Sequence, residues 1–136
     1  MLNIVKAFIL KEQYVFTYKY RTKDGVRYAF PGGIMSNNEE ATASLRQFCL
    51  AQIGCSVQVH DLLYVHDSNF GQQPMKELYF ECTVQALPTH STPATFEAEW
   101  LPVACLHHYT FEDEAAATFL KDTYYQTVLI NRTTFL

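Results

Sequence analysis

Short apolar runs broken by turn residues dominate the start of the chain, and such runs read as strands. Leu2 to Leu10 and Tyr14 to Tyr20 are rich in Ile, Val, Phe and Tyr and are separated by the polar Lys11, Glu12 and Gln13, so they predict a hairpin. Lys23-Asp24-Gly25 supplies a tight turn, because Asp-Gly reaches the positive dihedrals that such turns need, and Val26 to Phe30 resumes the extended pattern. Pro31-Gly32-Gly33 restricts one dihedral and frees the next two, which predicts a sharp loop. The period then changes. Ala41, Leu45, Phe48, Cys49 and either Gln52 or Ile53 recur at three- and four-residue steps, which predicts a helix over 39–53. Ser36, Asn37 and Asn38 can accept the free amides at its start, Glu39 and Glu40 suit the positive end of its dipole, and Gly54 suits a left-handed cap.

Cys55 to His66 and Met75 to Leu87 return to an extended pattern and predict paired strands. In the second, Leu78, Phe80, Cys82 and Val84 alternate inward against Glu77, Tyr79, Glu81 and Thr83 outward. Residues 88–95 carry Pro88 and Pro93 among Thr, Ser and His and read as a loop, before a last strand from Phe96 to Leu101 closed by Pro102. A second helix is expected from about Asp113 to Tyr124, with Ala116, Phe119, Leu120 and Tyr124 on one side; the pattern from Val128 to Leu136 favours no element. Without repeats, the simplest architecture is a mixed sheet flanked by helices, an α/β chain of α+β type.

Composition narrows the function classes. A length of 136 residues fits one domain spanning 1–136, and 49% apolar against 18% charged residues excludes a disordered chain. The net charge of -4 argues against nucleic acid as a partner. Lys6, Lys11 and Glu12 interrupt the amino terminus, so neither a signal peptide nor a membrane helix is expected there, and the expected location is the cytoplasm. Cys49, Cys55, Cys82 and Cys105 have no metal-site or redox spacing and are expected to be packed thiols.

Strand, Pro31-Gly32-Gly33, helix, Gly54 and apolar strand together resemble the Nudix box and its surroundings, and the order of elements resembles that family along nearly the whole chain. The resemblance implies a Nudix-type α/β/α sandwich. Gly33, Glu39 after five residues, and Gly54 followed by Cys55 keep the box spacing. Family enzymes cleave a nucleoside diphosphate linked to another group, with magnesium held by glutamates three and four residues apart on one helix face. Counted back from Gly54, those glutamates fall on Phe48, Ala51 and Gln52 and the box arginine on Gln47; a one-residue insertion after Arg46 restores the arginine and moves the first glutamate to Gln47. In neither register does a carboxylate fall between Glu40 and Gly54.

The implied function is therefore binding of a nucleotide-like or other small phosphorylated ligand, with magnesium as cofactor where hydrolysis operates and no metal where it does not. A hydrolase using other carboxylates is the alternative, with Glu39, Glu77, Glu81, Glu97 and Glu99 as candidate ligands; Glu77 and Glu81 stand about 13 Å apart along one strand, too far to grip one ion together. By the resemblance, Gly32, Gly33 and Arg46 belong to the ligand site. Arg21 and Arg27, with Lys19 and Lys23, form a candidate phosphate-attracting rim, against which stands an ordinary solvated hairpin. The surplus of rings, Tyr14, Phe16, Tyr18, Tyr20, Tyr28 and Phe30, suits core packing first, then base stacking or a homodimer face, and a third reading fills the old cleft with Phe48 and makes the protein an interaction module. Adjacent His107 and His108 lack the spacing of a metal pair.

Overall fold

The computed structural model describes residues 1–36, 38–86 and 97–134. Strand β1 (Leu2–Lys11) turns through Glu12 and Gln13 into β2 (Tyr14–Thr22), which pairs with β3 (Gly25–Ala29) as the Asp-Gly turn predicts. The expected loop at Pro31-Gly32-Gly33 is instead a short strand, β4 (Gly32–Ile34), antiparallel to β1. Gly32 can lie there because its φ of 153° and its closeness to β1 leave no room for a side chain: an added Cβ would meet the Val5 carbonyl oxygen at 2.0 Å.

Helix α1 spans Ala41–Ile53, so Glu39 and Glu40 precede it and the expected start at 39 moves inward. Glu40 occupies the N-cap without a side-chain cap bond, since Ser36 and Asn38 lie too far back along the chain; Asn37 falls outside the described residues. Leu45, Cys49 and Ile53 make the buried stripe, which settles Ile53 over Gln52, and Gly54 closes the helix in the left-handed conformation at φ 61°.

Strand β5 (Ser56–Phe70) runs past the expected end at His66 and turns at Gly71 into β6 (Gln73–Ala86), and β7 (Glu97–Pro102) pairs with β2. Leu87, the expected 88–95 loop and Phe96 lie outside the described residues. A 3-10 turn, Val103–His108, leads to α2 (Glu114–Phe119), which continues as a π-helical stretch, Leu120–Leu129, and ends as α3 (Ile130–Thr134). The second helix thus begins where expected and runs on into the undecided segment as far as Thr134.

The seven strands form one mixed sheet, and the position of the site follows from β1. Its first part lies between β4 and β6, parallel to the latter, whereas its pairing with β2 is confined to Leu10↔Val15 and Lys11↔Tyr14. The two halves of the sheet therefore part company along β1. Val5, Ala7, Ile9, Phe80 and Cys82 pack under α1, while Phe8, Phe30, Tyr79, Ala116, Leu120 and Tyr124 build a second core on the opposite face. This second core corrects the expected alternation on β6. Tyr79 (0% exposed) and Glu81 (8%) face the carboxy-terminal helical segment rather than solvent.

Candidate functional site

The end of α1 is tied to β4 by one side chain. The Gln52 amide nitrogen donates to the Gly32 carbonyl at 2.7 Å, and its oxygen accepts from the Gly32 amide at 3.1 Å. The two bonds satisfy both backbone groups of a residue that has no side chain of its own. One turn earlier, the Phe48 ring lies flush on Gly33, where an added Cβ would stand 2.7 Å from it. Arg46, Gln47 and Ala51 are exposed. Glu39 accepts a hydrogen bond from the Ser44 hydroxyl at 2.7 Å, and this bond, followed by one from Ser36, holds its carboxyl below the usual range.

Where the sheet halves diverge, a cleft of about 230 Å³ opens on the sheet face away from α1. Lys6 and Ala29 come from β1 and β3, His66 from β5, Met75, Glu77 and Tyr79 from β6, and Glu112 and Asp113 from the approach to α2. The strand register explains the grouping. His66 is the cross-strand partner of Glu77 and Glu77 pairs with Ile4, while Tyr79 lies between Tyr64 and Lys6, so all of them project from the same sheet face. Asp113 is delivered by its role as helix cap: its Oδ1 accepts the Ala116 amide at 3.1 Å, and its Oδ2 accepts from the Tyr79 hydroxyl.

Three of these side chains converge. His66 Nδ1 lies 3.4 Å from Glu77 Oε2 and 3.8 Å from Asp113 Oδ2. Burial first, and then the neighbouring Asp113 charge, push the Glu77 carboxyl up, while His66 and Lys6 pull it the other way. Tyr79 is raised far above the usual phenol range by burial and by its bond to Asp113. Lys6 Nζ reaches the Phe30 carbonyl at 3.4 Å.

The acids singled out from sequence occupy separate places. Glu77 is in the cleft, whereas Glu81 accepts from the Tyr124 hydroxyl and from Arg132 at 3.3 Å under the carboxy-terminal helical segment. Glu97 and Glu99 both pair with Lys19, at 3.4 and 3.6 Å. The basic rim is also divided: Tyr20↔Arg27 and Arg21↔Val26 are direct partners, so Arg27 and Arg21 leave opposite faces of the ribbon, and Arg27 shares the face of Ala29. Phe16, Tyr28 and Phe30 are core; the Tyr20 hydroxyl donates to Glu112 at 2.7 Å. Sequence reasoning missed Lys6, His66, Glu112 and Asp113. The available signal for His66 was the hairpin count, since pairing outward from the turn at Gly71 sets 66 opposite 77; nothing local announces Asp113, which arrives from a distant element.

No family model matches the sequence, and no curated protein matches it. Solved structures do, and many of them are Nudix hydrolases. A NUDIX hydrolase from Nitrosomonas europaea superposes with a TM-score of 0.76 at 12% identity, covering 92% of this chain and 89% of that one. The MutT NUDIX hydrolase from Burkholderia pseudomallei gives 0.71 at 15%, over 90% and 97%. An ADP-ribose pyrophosphatase from Streptococcus suis gives 0.64 at 14%, over 98% and 91%. At such identities the likeness speaks for the fold: this chain adopts the Nudix fold, with a mixed seven-stranded sheet between helices.

Proposed function

We propose that the protein binds a small phosphorylated, nucleotide-like ligand in the cleft between the sheet halves and does not turn it over through a magnesium centre on α1. The observation that carries the reading is the pair of hydrogen bonds between Gln52 and Gly32, with the Phe48 ring seated on Gly33. Magnesium takes about six oxygen ligands in a near-ideal octahedron. The helix face offers an arene, a methyl group and an amide engaged at both ends, so its residues do not fit the ion. The cleft on the other face of the sheet offers a cation, Lys6, several carboxylates and a volume of about 230 Å³. That is below the ~300–1,000 Å³ of sites that enclose a drug-sized ligand, so it suits one ring or head group with the rest of the molecule outside. One fold neighbour is named for ADP-ribose, a nucleoside diphosphate derivative.

The test is a panel of nucleoside diphosphate derivatives, read by thermal stabilisation and by released phosphate, with and without added magnesium. Stabilisation by a member of the panel, unchanged by magnesium and with phosphate release at the blank rate, is expected. Magnesium-dependent release would overturn the reading. The second reading, a hydrolase using non-standard carboxylates, is favoured by the closeness of Glu77 to His66 and Asp113; it requires turnover that Glu77→Gln abolishes.

A further inference from the structure

We propose that His66, Glu77 and Asp113 form a binding site for one divalent ion of the zinc class, with a fourth position open to water or to a ligand oxygen. Among the described residues, these three offer one ligand atom each, all within 4.8 Å of one another. The donor set points to the class of ion. A tetrahedral site with bonds of about 2.1 Å has edges of about 3.4 Å, whereas an octahedral magnesium site has edges of about 3.0 Å. The edges from His66 Nδ1, 3.4 and 3.8 Å, allow one ion to be shared, and the imidazole donor favours zinc-like ions over magnesium.

A second observation points to the same occupant. His66 Nδ1 is shielded from solvent and has no hydrogen-bond partner, although two carboxylates lie close to it. A ring nitrogen so placed, with two carboxylates close by and no hydrogen bond to either, suits a shared cation. The orientation is held from outside the trio. Tyr79 donates to Asp113 Oδ2, and the Ala116 amide fixes Asp113 Oδ1, which is how metal-binding carboxylates are commonly supported. Charge balance agrees: Glu77, Glu112 and Asp113 outnumber Lys6 within the cleft, so a phosphorylated ligand meets an acidic wall unless a cation stands in it. Only that last contact, a ligand oxygen at the fourth position, rests on the proposed function; the ion's own binding does not.

The experiment uses the full chain stripped with a chelator and titrated with Co2+ in the absence of any nucleotide. Intense visible bands of tetrahedral Co2+, saturating at one ion per chain and bleached by Zn2+, are expected. His66→Ala and Glu77→Gln should each weaken binding at least tenfold. Asp113→Asn, which keeps the cap bond to Ala116 and hence the fold, should do the same, with circular dichroism unchanged. Absence of the bands, or bands that persist in the His66→Ala, Glu77→Gln double variant, would overturn the proposal. Neither result bears on whether the nucleotide panel stabilises the protein, so this proposal and the proposed function fail separately.

Discussion

Gln52 shows how one neutral side chain can clamp a helix to a strand. Each of its bonds to Gly32 contributes about 1 kcal/mol net, and losing them strands two backbone groups. Gln52→Ala should therefore cost about 1–3 kcal/mol in denaturant unfolding. Gln52→Glu restores the carboxylate of the family pattern, but an ionised carboxylate cannot donate to the Gly32 carbonyl. Its loss of stability should be similar, with no magnesium-dependent stabilisation. The two glycines differ in the same physical way. Gly33→Ala presses on the far end of a movable Phe48 ring and should cost about 1 kcal/mol, relieved when combined with Phe48→Ala. Gly32→Ala meets backbone and a positive φ and should cost more than about 3 kcal/mol.

At the scale of elements, α2 is where stability and site meet. Asp113 caps the helix and braces Tyr79, so Asp113→Ala should lose about 0.5–2 kcal/mol from the cap alone, while Asp113→Asn retains most of it. Comparing the two variants by thermal unfolding separates the structural duty of this residue from its duty in the cleft. Much of this arrangement was legible in the chain. The left-handed Gly54, the Asp-Gly turn and the buried stripe of Leu45, Cys49 and Ile53 follow from local chemistry. The inward face of β6 did not follow, because strand alternation names two faces and cannot say that a distant helix covers the second. The strand at Gly32–Ile34 was hidden for a related reason: Pro-Gly-Gly reads as a turn until β1 offers it a partner.

For the whole molecule, burial of phenols and thiols sets the response to pH. Tyr18, Tyr20, Tyr28, Tyr64 and Tyr79 all hold their protons above the usual phenol range, with burial the leading cause in each and Tyr20 raised to about 12. A group raised in the folded state binds more protons there than in the unfolded chain. Stability from these groups is therefore complete below pH 10 and falls as pH rises through 10 toward 12 and beyond. Unfolding free energy measured across that window should decline, less steeply in Tyr20→Phe. Burial also pushes the Cys49 thiol up to about 12 and raises Cys55 and Cys82. A thiol-reactive dye at neutral pH should reach no more than Cys105 in the folded protein and all four cysteines in denaturant.

The order of elements, the caps and turns, the packed thiols and the lack of carboxylates between Glu40 and Gly54 are properties of the sequence itself, set by local propensity and spacing. What Phe48 and Gln52 do is a tertiary matter. Only the approach of α1 to β4 makes Gln52 a clamp and Phe48 a lid on Gly33. Only the parting of the sheet along β1, with a helix cap brought in from residue 113, sets His66, Glu77 and Asp113 around one point. Those three side chains lie on three elements, and their meeting is fixed by strand register and helix packing, which no local pattern encodes.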